Sequence, residues 1–276
     1  MVPKYNPNNP SLLESIVCFT DILGFSNLIM QAPNQQHGNR LLKNLHTILK
    51  SQYAQMKVMN PYGQFKTFTD NVILAYPRFE DGEGQSGSLF MSFIDYQLNM
   101  TLNGYFLRGG VAIGDYYGDD DFAYGPALIE AHKLECKKAD YPRIILSEEM
   151  IKIVSEHVDF YGPLTFAPQY SHLIKDIDDT CFINYLHGLQ EEYEITNDFN
   201  LYISKLNQHK DIIVAQLNKF RADQKLLSKY EWVAQYHNYY CDEYFNSVGI
   251  QQHSLKIQGI PSRKFERIVV NDLINI

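Results

Sequence analysis

The order of strand-like and helix-like segments predicts an α+β fold, a ferredoxin-like split βαβ core with a helical extension at its C-terminal end. Three observations carry this. Over the first two thirds of the chain, apolar residues switch between a period of two and a period near 3.6 in the order strand, helix, strand, strand, helix, strand. Two short acidic segments, Thr69-Asp70-Asn71 and Asp119-Asp120-Asp121, sit where hairpins must turn. Beyond about residue 189 only helical spacing remains.

Residues 15–20, with Ile16, Val17 and Phe19, read as a short buried strand. From 25 to 58, Leu41, Leu45, Ile48 and Leu49 recur at helical spacing. Segments 64–68 and 72–76 flank the first turn as a hairpin, and the Gly-rich stretch 81–87 reads as a loop. Leu89, Phe93, Ile94 and Leu98 mark one face of a helix over 88–102. A strand over 105–114 contains Arg108-Gly109-Gly110 and leads into the second hairpin. Residues 127–138 are helical by pattern, and 143–146 form a strand ending at Ser147, which suits the N-cap of a helix over 148–155. In the extension, 195–220 and 225–245 read as helices. The second carries Leu226, Tyr230, Val233, His237, Tyr240 and Tyr244 at spacings of three and four, a stripe that suits core packing or a dimer contact. The predicted division is residues 1–189 and residues 190–276.

With 276 residues, 45% of them hydrophobic and 13% aromatic, the chain can bury a sizeable core. No apolar run approaches the ~20 residues of a membrane span, and the opening Met-Val-Pro-Lys-Tyr lacks the pattern of a secretory signal, so a cytoplasmic protein without membrane insertion is expected. The four cysteines are widely spaced, which points to reduced, mostly buried thiols and not to zinc or disulfides. A net charge of −8 argues against direct nucleic-acid binding, which needs concentrated Lys and Arg.

Two acidic residues carry the functional expectation. Asp21 ends the first strand, and Asp70 lies in a hairpin that would pair beside it. Taken singly, an Asp before a helix is an N-cap and Asp-Asn in a tight turn is turn chemistry. Brought together, two carboxylates make a site for divalent metal, and Mg²⁺ or Mn²⁺ suits such hard oxygen donors. The junction Ile22-Leu23-Gly24-Phe25 offers main-chain N–H groups to phosphate, with Gly24 permitting close approach. Arg108 reads as a strand brace ahead of a substrate ligand, the Asp119–Asp121 run as a solvated hairpin tip, and His132 as an ordinary surface histidine.

The strings Phe19-x-Asp-Ile-x-Gly-Phe25, Lys66-x-x-x-Asp70, Leu107-Arg-Gly-Gly-Val-Ala-Ile-Gly114 and Tyr124-Gly-Pro-Ala-Leu-Ile-Glu-Ala131 are similar, in order and approximate spacing, to the catalytic domain of class III nucleotidyl cyclases. The resemblance covers about 16–186. In texture it looks most like the bacterial pyrimidine cyclases of Pycsar anti-phage defence, which make cyclic UMP or cyclic CMP. It implies a homodimer with shared active sites, two divalent ions held at Asp21, Ile22 and Asp70, and a nucleoside triphosphate substrate. Lys66 matches a base-reading position and Phe122 its partner, a pair without the polar edge that a purine uses. Ile129 stands where purine enzymes carry a ribose-orienting Asn, Lys133 where they carry a transition-state Arg, and Lys175 where a lysine binds the β and γ phosphates. The implied activity is conversion of UTP, ahead of CTP, into the 3′,5′-cyclic nucleotide and pyrophosphate, with a separate effector responding to the product. An adenylate or guanylate cyclase, and a catalytically inactive cyclase-like module that binds a nucleotide or a partner, stand as alternatives.

Overall fold

A computed structural model describes residues 3–245 and 252–268, so residues 246–251 and 269–276 of the predicted extension lie outside the described residues. In chain order the elements are β1 (Leu13–Ile22), α1 (Phe25–Met30), α2 (Gln35–Met59), β2 (Gln64–Phe68), β3 (Asn71–Pro77), α3 (Glu83–Leu102), β4 (Leu107–Gly118), β5 (Ala123–Tyr124) and α4 (Pro126–Lys137). There follow β6 (Ile144–Leu146), α5 (Glu148–Val158), α6 (Pro168–His172), β7 (Leu173–Lys175), β8 (Cys181–Ile183), α7 (His187–Thr196), α8 (Phe199–Lys219), α9 (Gln224–Phe245), α10 (Gln252–Leu255) and β9 (Glu266–Arg267). No helix among the described residues is long and apolar enough to cross a membrane.

The strands form one mixed sheet in the order β2-β3-β1-β4-β6-β8-β7-β9, with β5 folded back on β4. β1 runs antiparallel to both β3 and β4, so the first strand is inserted between two later ones, which defines the split βαβ core. β4 and β6 are parallel, and α4 makes the crossover that a parallel pair requires. Strand alternation sends Ile16, Cys18 and Ile22 to the face covered by α2, α3 and α5, where Leu45, Phe93 and Val154 complete a core. The opposite face, with Ala112, Ile145 and Phe182, is covered by α4, α8 and α9. The Tyr-rich stripe of α9 is core packing, since Tyr236 and Tyr240 are fully buried and Trp232 stacks on Tyr141.

Several predicted boundaries shift for local reasons. The helix over 25–58 is two helices, because Pro33 intervenes and Asn34 caps α2 by accepting from the His37 amide. Residues 81–87 are not a loop throughout, since α3 starts at Glu83, its entry made by Gly82 at φ 85°. The helix over 195–220 breaks at Asn197, which is left-handed at φ 51°, and restarts at Asp198, whose side chain accepts from the Leu201 amide. The stretch expected to be helical throughout also supplies β9, which extends the sheet edge beyond β7. Three cysteines are buried and Cys136 is exposed.

The C-terminal helices are tied to the sheet by ions as well as apolar contact. Asp176, after β7, is fully enclosed and accepts from Arg143 Nη1 at 2.7 Å, Arg263 Nε at 2.5 Å and Trp232 Nε1 at 2.8 Å. Breaking a buried pair while leaving one partner charged costs about 3–5 kcal/mol, so Asp176→Ala is expected to lower stability in urea by that amount.

A second buried network runs through α8 and α9. Tyr185 Oη lies 2.9 Å from His209 Nε2, His209 Nδ1 lies 2.9 Å from His237 Nδ1, and His237 Nε2 lies 3.0 Å from the Leu255 carbonyl. A carbonyl only accepts, so His237 carries its proton on Nε2, and the chain of donors then runs from Tyr185 through both rings with each ring neutral. A proton added at His237 Nδ1 would set two N–H groups against each other, and one added at His209 Nε2 would require the Tyr185 hydroxyl to turn and accept. Burial pushes His237 down to about 4 and His209 well below its ordinary value, with His237 adding to the shift at His209. An unfolded histidine takes up a proton near pH 6.5, whereas the folded network refuses it. The histidine contribution to stability is therefore complete above about pH 6.5 and is lost as pH falls towards 4, which urea midpoints measured across that window will show.

Candidate active site

β1 places Val17, Phe19 and Asp21 on the α4 side of the sheet, and register sets Asp21 opposite Arg108 of β4. Arg108 Nη2 stands 3.7 Å from Asp21 Oδ2 and makes a closer ion pair with Glu135 on α4. Glu135 is itself buried, as few carboxylates are without a partner. Asp70 occupies the two-residue turn between β2 and β3, where Thr69 adopts φ 57°. The turn folds the Asp70 carboxylate back onto β1: Oδ2 accepts from the Ile22 amide at 3.3 Å and Oδ1 from the Thr69 hydroxyl at 2.9 Å.

Asp21 and Asp70, 49 positions apart in sequence, thus meet closely enough for their carboxyls to hydrogen-bond. Burial, then Asp70, then the charge of Glu135 push Asp21 up to about 8, and Arg108 only partly offsets them. Three carboxylates and one guanidinium leave this corner short of positive charge. The set consists of hard oxygen donors, with the main-chain carbonyl of Ile22 as the one ligand that residue could add, and it fits Mg²⁺ or Mn²⁺. Next to it Gly24 takes φ 74° with open space where a side chain would be, so the bend into α1 leaves the main chain approachable.

The other predicted residues lie apart from this pair. Ile129 and Lys133 share the outer face of α4, with Lys133 Nζ 3.6 Å from Glu130. Phe122 is exposed and stacks on Tyr124 at the tip of the β4–β5 hairpin. Lys66, on β2, donates to the Asp119 carbonyl at 3.4 Å. Lys175, on β7, pairs with Asp179 at 3.0 Å. The Asp119–Asp121 run is turn chemistry, because the Asp119 carboxylate accepts from the amides of Asp121 and Phe122 and from the Tyr117 hydroxyl. His132 packs edge-on against Phe19 and lies 3.2 Å from Cys136, whose thiol is pushed up to about 11 by burial and by Glu135. Sequence reasoning passed over Glu135. Its position four residues after Ala131, on the helix side that faces Arg108, was the available signal.

No family model and no curated protein matches this sequence. Among solved structures, the chain is similar to the adenylyl cyclase CyaB from P. aeruginosa, with 18% identity, 53% of this chain and 82% of that chain covered, and a TM-score of 0.43. It is also similar to the monomeric guanylyl cyclase domain of the RhoGC fusion protein from the aquatic fungus Blastocladiella emersonii, with 14% identity, coverage of 63% and 96%, and a TM-score of 0.44. A bacterial light-regulated adenylyl cyclase matches with 16% identity, coverage of 64% and 92%, and a TM-score of 0.42.

The folded Asp21 carboxyl keeps its proton up to about pH 8, whereas an unfolded Asp ionises near pH 3.9. The native state therefore holds the extra proton across this window, and stability falls as pH rises through it. Asp21→Asn is expected to raise stability at pH 8 on the order of 1–2 kcal/mol, after allowing for the part of the side chain that water screens, and to flatten the slope of urea midpoints against pH between about pH 4 and 8.

Proposed function

We propose that this chain is a metal-dependent nucleotidyl cyclase that converts a pyrimidine nucleoside triphosphate, UTP ahead of CTP, into its 3′,5′-cyclic nucleotide and pyrophosphate. The observation that carries this is the meeting of Asp21 and Asp70 in a corner with excess negative charge. Two divalent ions about 3.5–4 Å apart would lower the pKa of the ribose 3′-hydroxyl and offset charge at the α-phosphorus. The chain's own part is to hold both carboxylates on rigid strand ends, with Arg108 and Glu135 fixing Asp21 from the α4 side. Gly24 and Phe25 present main chain to the terminal phosphates.

Lys133 and Ile129, exposed and turned away from Asp21 in their own chain, suit a site completed across a homodimer. There Lys133 supplies a cation at the α-phosphoryl group, without the forked geometry of arginine. Lys175 would leave Asp179 to meet the β and γ phosphates. Lys66 and Phe122 provide one cation and one ring, which suits a small base better than the polar edge of a purine. In this proposal the product is a second messenger of anti-phage defence that acts on a separate effector. A nucleotide-binding module without turnover is the second reading, favoured by Ile129, which offers no hydrogen bond to a ribose.

Incubating the protein with each of the four nucleoside triphosphates and Mn²⁺, then resolving the products, is expected to yield a cyclic pyrimidine nucleotide. Asp21→Ala and Asp70→Ala should each reduce turnover about a thousandfold or more while leaving the fold intact. Lys133→Met should lower kcat more than it raises KM. Activity retained in either aspartate variant would remove the two-ion proposal, and no cyclic product from any nucleotide would leave the binding module.

A further inference from the structure

A second group of metal-ligating side chains lies elsewhere in the molecule. His172 ends α6, His187 opens α7, and Glu191 follows one turn later on α7. The order β1-β4-β6-β8-β7 puts four strand spacings, roughly 19 Å, between this group and the Asp21 strand. His172 Nε2 lies 3.2 Å from Glu191 Oε1, His187 Nε2 lies 3.9 Å from the same oxygen, and the three ligand atoms fall within 4.8 Å of one another. A tetrahedral zinc centre, with bonds of about 2.0–2.2 Å, separates its ligand atoms by about 3.3–3.5 Å. Small side-chain adjustments would close the observed spacings onto one ion.

We propose that His172, His187 and Glu191 form a zinc site that clamps the end of α6 to the start of α7. Both histidines are largely buried, and His172 Nδ1 is enclosed with no hydrogen-bond partner. A simple His–Glu contact does not account for two imidazoles converging on one carboxylate oxygen with the second beyond hydrogen-bond reach. Tyr244 Oη stands 3.4 Å from His187 Nδ1 and can accept its proton, which would leave the Nε2 lone pair for the ion, as outer partners of metal-bound histidines commonly do. The Arg267 guanidinium is engaged by Tyr244 and by the carbonyls of Tyr170 and Ser171. Two imidazoles and a carboxylate suit zinc better than Mg²⁺ or Ca²⁺.

The test uses the full-length protein, stripped with a chelator and reloaded with Zn²⁺ in excess Mg²⁺, which covers the Asp21–Asp70 carboxylates. The protein should retain one equivalent of zinc, show the visible absorption of tetrahedral cobalt when Co²⁺ is used instead, and melt at a higher temperature with zinc bound. Glu191→Gln, which keeps the side-chain volume and a hydrogen bond to His172, and His187→Ala should each weaken zinc binding about 100-fold or more and abolish the thermal shift. The double variant His132→Ala/Cys136→Ser, at the other His-Glu-Cys group on α4, should bind zinc normally. Failure of the wild-type protein to retain zinc, or loss of binding in the α4 variant with retention in Glu191→Gln, overturns the proposal.

Discussion

The absence of a side chain at Gly110 sets the geometry on which the rest of the molecule depends. A Cβ at Gly110 would meet the Ala131 carbonyl and lie 2.5 Å from Leu134 Cβ, whereas one at Gly109, on the other face of the sheet, would lie 2.7 Å from the Phe19 carbonyl. β4 is therefore bare where α4 crosses it, and the helix settles directly on the sheet. That approach brings Glu135 down to Arg108, and Arg108 to Asp21 on the neighbouring strand. A larger residue at Gly110 would lift α4, leaving a half-buried guanidinium and a buried carboxylate to be satisfied separately at a cost of several kcal/mol.

Beyond β6 the molecule is held by a different device. Asp176 draws together Arg143 from the segment before β6, Trp232 from α9 and Arg263 from the C-terminal segment, so one enclosed carboxylate joins three distant stretches of chain. Its three donors satisfy a charge that could not otherwise be enclosed. The neutral Tyr185–His209–His237 chain does similar work between the β8–α7 turn, α8 and α9 through hydrogen-bond direction alone. The histidine chain is sensitive to acid, because burial holds both rings below the pH at which an unfolded histidine takes up a proton.

The electrostatics of the candidate site follow from this packing. Asp70 is anchored through the Ile22 amide, so it cannot swing away from Asp21 without losing a buried hydrogen bond. Two carboxylates fixed side by side, with a third behind Arg108, favour either a retained proton or an added cation. That choice is a property of the assembled corner and belongs to no single residue.

The split core was legible because its signals are local: period-two runs at β1 and β3, Asp70 at a two-residue turn, and Ser147 capping α5 by accepting from the Met150 amide. The two aspartates stood out because each ends or turns a strand, and strand pairing then leaves few places for them to go. Breaks at Pro33 and Asn197 were missed because a long apolar period masks one disruptive residue. The three-residue strands β7 and β8 carry too little periodicity to register without a flanking signal such as the Ser147 cap that marks the end of β6. Sequence by itself determined which residues alternate, turn and cap, since those depend on neighbours along the chain. Only the tertiary structure decided that Glu135 would brace Asp21, that Asp176 would join three segments, and that His172 would meet His187, because those contacts arise from close packing between elements distant in the chain.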